Sequence, residues 1–104
     1  MPSVETLLSF IDRSPQDPFA RYALALEYKG AGRLDEAWAT FQALMELSPD
    51  YVAAYIHAGN TLVDLGRVDE AREVYSRGIE ACARKGDLHA RSQLDGALAA
   101  ATRP

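Results

Sequence analysis

The sequence predicts an all-α fold in which antiparallel helix pairs stack as a solenoid, and three observations carry that expectation. Gly32-Arg33-Leu34-Asp35-Glu36-Ala37 recurs as Gly66-Arg67-Val68-Asp69-Glu70-Ala71, identical at five of six places and offset by 34 residues. Apolar residues recur at helical rather than strand spacing on both sides of that motif. The breaks between apolar segments are two to five residues long and rich in Gly, Pro and Asp, which makes consecutive helices antiparallel neighbours.

The elements follow in chain order. A helix over about 3–13 carries Leu7, Phe10 and Ile11, which fall one period before Phe41, Leu44 and Met45. Ser14-Pro15 ends it, as Ser48-Pro49 ends its equivalent. Over about 19–31, Tyr22, Leu24, Leu26 and Tyr28 alternate like a strand. Ala20, Ala23, Ala25 and Ala31 fill the gaps and favour helix. Gly30 and Gly32 are expected to stop that helix, and Asp35 to cap the next, at about 35–47. A fourth helix over about 52–65 ends at Gly66, and Asp69 is expected to cap the fifth, at about 69–84. The sixth, about 88–101, keeps helical spacing but loses the motif, as a terminal cap does. The chain thus divides into a half repeat (1–17), two full repeats (18–51 and 52–85) and a capping helix (86–104).

A length of 104 residues suits one domain with a modest core. Eleven basic and fifteen acidic residues are mixed along the chain for a net charge of −4, which disfavours nucleic acid and anionic membrane as partners. Cys82 is the single cysteine, so no internal disulfide forms, and no run of about 18 apolar residues appears. The default expectation is a soluble cytoplasmic protein.

A 34-residue period with two helices per unit resembles the tetratricopeptide repeat. The first full repeat supplies Leu24, Tyr28, Ala37, Phe41 and Pro49 in that pattern, with Arg21 and Ala25 departing from its tryptophan and glycine. The second supplies Tyr55, Gly59, Ala71 and Tyr75, with Ala58, Leu62 and Ala83 as departures. The slots are packing positions: Ala37 and Ala71 permit close helix approach, while Phe41 and Tyr75 fill the space one turn later. Leu24, Tyr28, Phe41, Leu44, Leu62, Val74, Tyr75 and Ile79 are accordingly core. Trp38 is expected to pack against the first helix, with an exposed binding anchor as the alternative.

The resemblance implies a right-handed solenoid of about two and a half repeats, and a protein-binding groove lined by the first helix of each pair. Helical spacing then places Phe19, Tyr22, Leu26 and Lys29 on that face in the first repeat. Ala53, Ile56, Asn60 and Val63 follow in the second, with His57 and Asp64 on the shoulder and Asp87, Ala90, Arg91 and Leu94 in the cap. The groove is apolar at one end and polar at the other, which suits a peptide or helix with an apolar anchor. The alternatives are self-association as a homodimer or cover by the chain's own C-terminal helix. Family members that grip chaperone carboxylate tails use lysine, asparagine and arginine at fixed groove positions. Here those positions hold Tyr22, Leu26, His57, Asp87 and Arg91, and only Arg91 fits.

Catalytic and cofactor readings find little support. His57, Cys82 and His89 stand 25 and 7 residues apart, without metal-ligand spacing, and the glycines are helix stops rather than a phosphate loop. Cys82, between Ala81 and Ala83, reads as a small packed hydrophobe. Asp35-Glu36 and Asp69-Glu70 start helices, where exposed amides favour carboxylates. Arg77, Arg84, Lys85 and Arg91 form at most a small basic patch. The expectation is a non-catalytic scaffold or adaptor, with no metal or cofactor.

Overall fold

The computed structural model describes residues 3–103. Six helices account for the described regular structure: α1 (Val4–Arg13), α2 (Pro18–Gly30), α3 (Leu34–Leu47), α4 (Val52–Asp64), α5 (Val68–Lys85) and α6 (Leu88–Thr102). Local chemistry fixes several boundaries. Ser3 caps α1 by accepting from the Thr6 amide at 3.2 Å, and Asp17 caps α2 by accepting from the Phe19 amide at 3.0 Å. Pro18 opens α2 where its absent N–H is not needed. Asp87 caps α6 through the Ala90 amide at 3.0 Å.

The two motif turns are built alike. Gly32 and Gly66 take φ of 77° and 78°, and the amides of Arg33 and Arg67 reach back to the carbonyls of Tyr28 and Leu62 at 2.9 and 2.8 Å. This tight closure leaves three residues between helices, the last of them at the cap position, which corrects the expected caps. Arg33 and Arg67 occupy the cap positions without a side-chain cap bond, so Asp35 and Asp69 lie inside the first helical turn. There they still face the positive end of the helix dipole. Each arginine forms a two-pronged pair with the glutamate three residues on, Arg33 with Glu36 and Arg67 with Glu70. Gly30 is likewise corrected from a stop to the last helical residue of α2.

Packing follows chain order: α2 lies on α3, α4 on α5, and α3 and α5 pack on the helices that follow them. The even-numbered helices also meet, α2 with α4 and α4 with α6, whereas the backbones of the odd-numbered ones stay further apart. The stack therefore curves toward the side formed by α2, α4 and α6. Ala37, Phe41, Leu44, Ala71 and Leu62 are fully buried in one continuous core, as the repeat slots predict, and Ile79 packs half-buried at its edge.

Trp38 is buried, which corrects the alternative of an exposed binding anchor. Lying one residue past Ala37, it is turned about 100° from the face that meets α2. The Arg67 guanidinium at the entrance to α5 sits 5.9 Å from its ring centroid. Cys82 is buried in the core, and burial raises its thiol pKa.

Candidate functional site

The side formed by the even-numbered helices carries two depressions rather than one continuous groove. The larger, about 510 Å³, opens between α1 and α2 and is walled by Leu7, Phe10, Phe19, Tyr22, Ala23 and Leu26, with Asp17 and Glu27 as its charged lining. The smaller, about 190 Å³, lies between α4 and α6 against Val52, Ala53, Ile56, His57, Asp87 and Ala90. Aromatic packing separates them. The Tyr22 ring lies 5.2 Å from that of Tyr51 and 5.9 Å from that of His57, and His57 stacks on Phe41 at 6.4 Å with the planes 7° apart.

The candidate residues consequently divide. Phe19, Tyr22 and Leu26 share the larger depression, and Ile56 and His57 the smaller. Lys29, Asn60, Val63 and Arg91 line neither. Asn60 is committed to the interior, its Oδ1 accepting from the Tyr75 hydroxyl at 2.5 Å. Arg91 is exposed, with Asp95 3.8 Å away. Leu94, expected in the groove, is buried against Gly78, and only its edge reaches the smaller depression. The basic patch disperses: Arg84 pairs with Asp50 at 2.6 Å, and Arg77 lies over the Tyr55 ring.

Reasoning from the first helix of each pair missed Leu7, Phe10 and Ala23 on the larger depression and Tyr51 between the two. The signal for the first three was the period itself, since they stand 34 residues before Phe41, Leu44 and His57.

The electrostatics of the face centre on His57. Burial holds its imidazole below the ordinary value of 6.5, and the Lys29 cation pushes the same way. Burial also raises the Tyr22 and Tyr51 hydroxyls. Because the unfolded His57 titrates higher than the folded one, the unfolded chain binds more protons between the two values, and stability rises with pH there. Urea midpoints should therefore fall as pH is lowered from about 7 through the unfolded value near 6.5. In His57→Gln that part of the slope should vanish; an unchanged slope would place the titration elsewhere.

Among the described residues, no group of three or more His, Cys, Asp or Glu side chains is arranged to hold a metal, and no helix is long and apolar enough to cross a membrane. A tetratricopeptide repeat family model matches residues 28–83. Two structures of a tetratricopeptide repeat domain protein from Salinibacter ruber are similar. The solution structure is 39% identical, covers 86% of this chain and 90% of that one, and has a TM-score of 0.80. The crystal structure is 40% identical, covers 82% and 96%, and has a TM-score of 0.77. The TPR2B domain of yeast Sti1, solved as a pHsp70 complex, is 20% identical over 95% of this chain and 79% of that one, and its TM-score of 0.88 shows the shared fold. No curated protein sequence matches significantly. With the model spanning more than half the sequence and a relative of 39% identity along most of it, the chain belongs to the tetratricopeptide repeat family.

Proposed function

We propose that the chain is a non-catalytic interaction module that binds a peptide or helix of a protein partner on the face of α2, α4 and α6, as a scaffold or adaptor. The observation that carries this reading is the larger depression, with Phe19 65% exposed on a face that also presents Tyr22 and Leu26. Apolar walls of that size left open to water are characteristic of binding surfaces. The fold is shared with Sti1 TPR2B, solved as a pHsp70 complex, and with YrrB, described as a TPR protein with an unusual peptide-binding site. The groups that chemistry would employ are otherwise engaged, His57 in an aromatic stack and Cys82 in the core. With a single basic residue, Arg91, in the positions that grip carboxylate tails, the anchor is apolar.

Self-association is the second reading, favoured by Leu8, Phe10 and Phe19 all being exposed at the N-terminal end of the stack. One experiment separates the two. Affinity capture from lysate should retain a protein on the wild type that is lost from the folded Tyr22→Ala/Ile56→Ala variant, while sedimentation shows both baits to be monomers. Identical captures would remove this face as the site, and a mass that doubles with concentration would favour self-association.

A further inference from the structure

The walls of the larger depression are related by the 34-residue offset to a place in the same molecule that a helix already fills. The helix α2 lies against α3, where Phe41 and Leu44 are fully buried, and its Tyr22 reaches His57 on α4. One period earlier stand Leu7 and Phe10 on α1 and Ala23 on α2, and all three wall the depression. Ala54 and Thr61, both buried on α4, correspond to Ala20 and Glu27, which wall it too. Exposure marks the difference: Leu44 is 0% exposed and Phe10 is 47% exposed. The angle between α1 and α2 thus repeats the angle between α3 and α4, with the first open and the second filled by α2.

That correspondence specifies the occupant. The face of α2 that is buried in the filled angle presents Leu24, Ala25 and Tyr28, a leucine and a small residue followed by an aromatic one turn on. The small residue permits the close crossing, and the larger pair supplies the buried area. Charge narrows the choice further. The charged residues lining the open depression, Asp17 and Glu27, are both acidic. In the filled angle the corresponding helix brings Lys29, whose cation is felt at His57, the equivalent of Ala23. A basic residue directly after the aromatic would therefore lie within a helical turn of Glu27.

We infer that the angle between α1 and α2 is a docking slot for one amphipathic helix of a partner protein, carrying leucine and a small residue, an aromatic one turn on, and a lysine or arginine next to it. The inference rests on the proposed interaction function and names its partner's form. It assigns recognition to α1 as well as to the even-numbered helices. Its recognition is helix-in-groove, with affinity reduced by whatever ordering the partner helix undergoes on binding.

A peptide that carries this pattern is available from the chain itself. The capped peptide of residues 17–31, titrated into the isotope-labelled full-length protein, should give saturable shifts at Leu7, Ala23 and Leu26 and should gain helicity. Phe10→Asp, at an exposed position, should weaken it at least ten-fold, and Ala23→Arg, which fills the slot from α2, should do the same. Reversing the lysine in the peptide (Lys29→Glu) should weaken it several-fold at low salt, and Glu73→Gln, at an exposed position on α5, should leave it within two-fold. Shifts centred on Ile56 and His57 and insensitive to Phe10→Asp would overturn the slot while leaving the wider interaction face intact. No saturable shift anywhere would overturn it, as would concentration-dependent self-association that Phe10→Asp abolishes, which would make a second copy the occupant.

Discussion

Leu44→Ala is expected to destabilise the protein by about 2–5 kcal/mol, whereas Phe10→Ala, 34 residues earlier at the same repeat position, should cost about 1 kcal/mol or less. The two residues share a place in the sequence pattern and differ in what covers them. Leu44 is fully buried between helices, so truncation removes its burial and leaves a cavity the surrounding helices close only in part. Phe10 stands 47% exposed at the mouth of an open depression, so truncation enlarges a space that water already reaches. For a domain of this size the first change should lower the thermal midpoint by at least about 10 °C and the second by a few degrees. Thermal and urea melts read both. Comparable losses would mean that Phe10 is covered in solution and that the angle between α1 and α2 is already closed.

The same contrast explains which parts of the molecule were legible in its sequence. The helices and their order followed from a motif that recurs with its glycines, because a left-handed glycine and a helical alternation are local requirements that a sequence displays directly. Cap identities were less legible. Asp35 and Asp69 have the right chemistry for caps, but the closure at Gly32 and Gly66 sets the cap two positions earlier, at Arg33 and Arg67. The burial of Trp38, with the Arg67 guanidinium near its ring, depended on tertiary packing that has no local signature.

The candidate face was half legible for a related reason. Spacing along α2 gathers Phe19, Tyr22 and Leu26, because residues three and four apart share a helix face, while the adjacent Ile56 and His57 both reach the smaller depression. Spacing does not show that Tyr51, arriving from the turn before α4, meets Tyr22 and divides the face in two. Nor does it distinguish a face-lining polar residue from one turned inward. Asn60 lies on the same stripe as Ile56, yet its amide serves the Tyr75 hydroxyl across the α4–α5 contact.

That contact sets up the second large effect. Gly59→Ala is expected to lower stability by about 1–3 kcal/mol, although alanine is the better helix former by about 1 kcal/mol. A Cβ at residue 59 would lie 2.5 Å from Cδ1 and 2.7 Å from Cζ of Tyr75, and closer still to Cε1. Ordinary carbon contacts are about 3.5–4.0 Å, so the ring has to move by roughly an ångström. It is poorly placed to do so, being 2% exposed and held at its far end by the hydrogen bond to Asn60. The first hairpin carries Ala25 at the equivalent position above Phe41, a ring without that tether, and so accommodates the extra methyl. The cost should therefore couple to the ring: Gly59→Ala combined with Tyr75→Leu should destabilise less than the sum of the single changes by about 1 kcal/mol or more. A control lies on α6, where a Cβ at Gly96 would meet nothing within 4 Å. There the same substitution should stabilise by about 0.4–1 kcal/mol, through the unfolded chain's lost freedom. Urea denaturation of the four variants decides the matter: strict additivity at 59 and 75, or a midpoint unmoved by Gly59→Ala, would show that α4 and α5 are not held together through this ring.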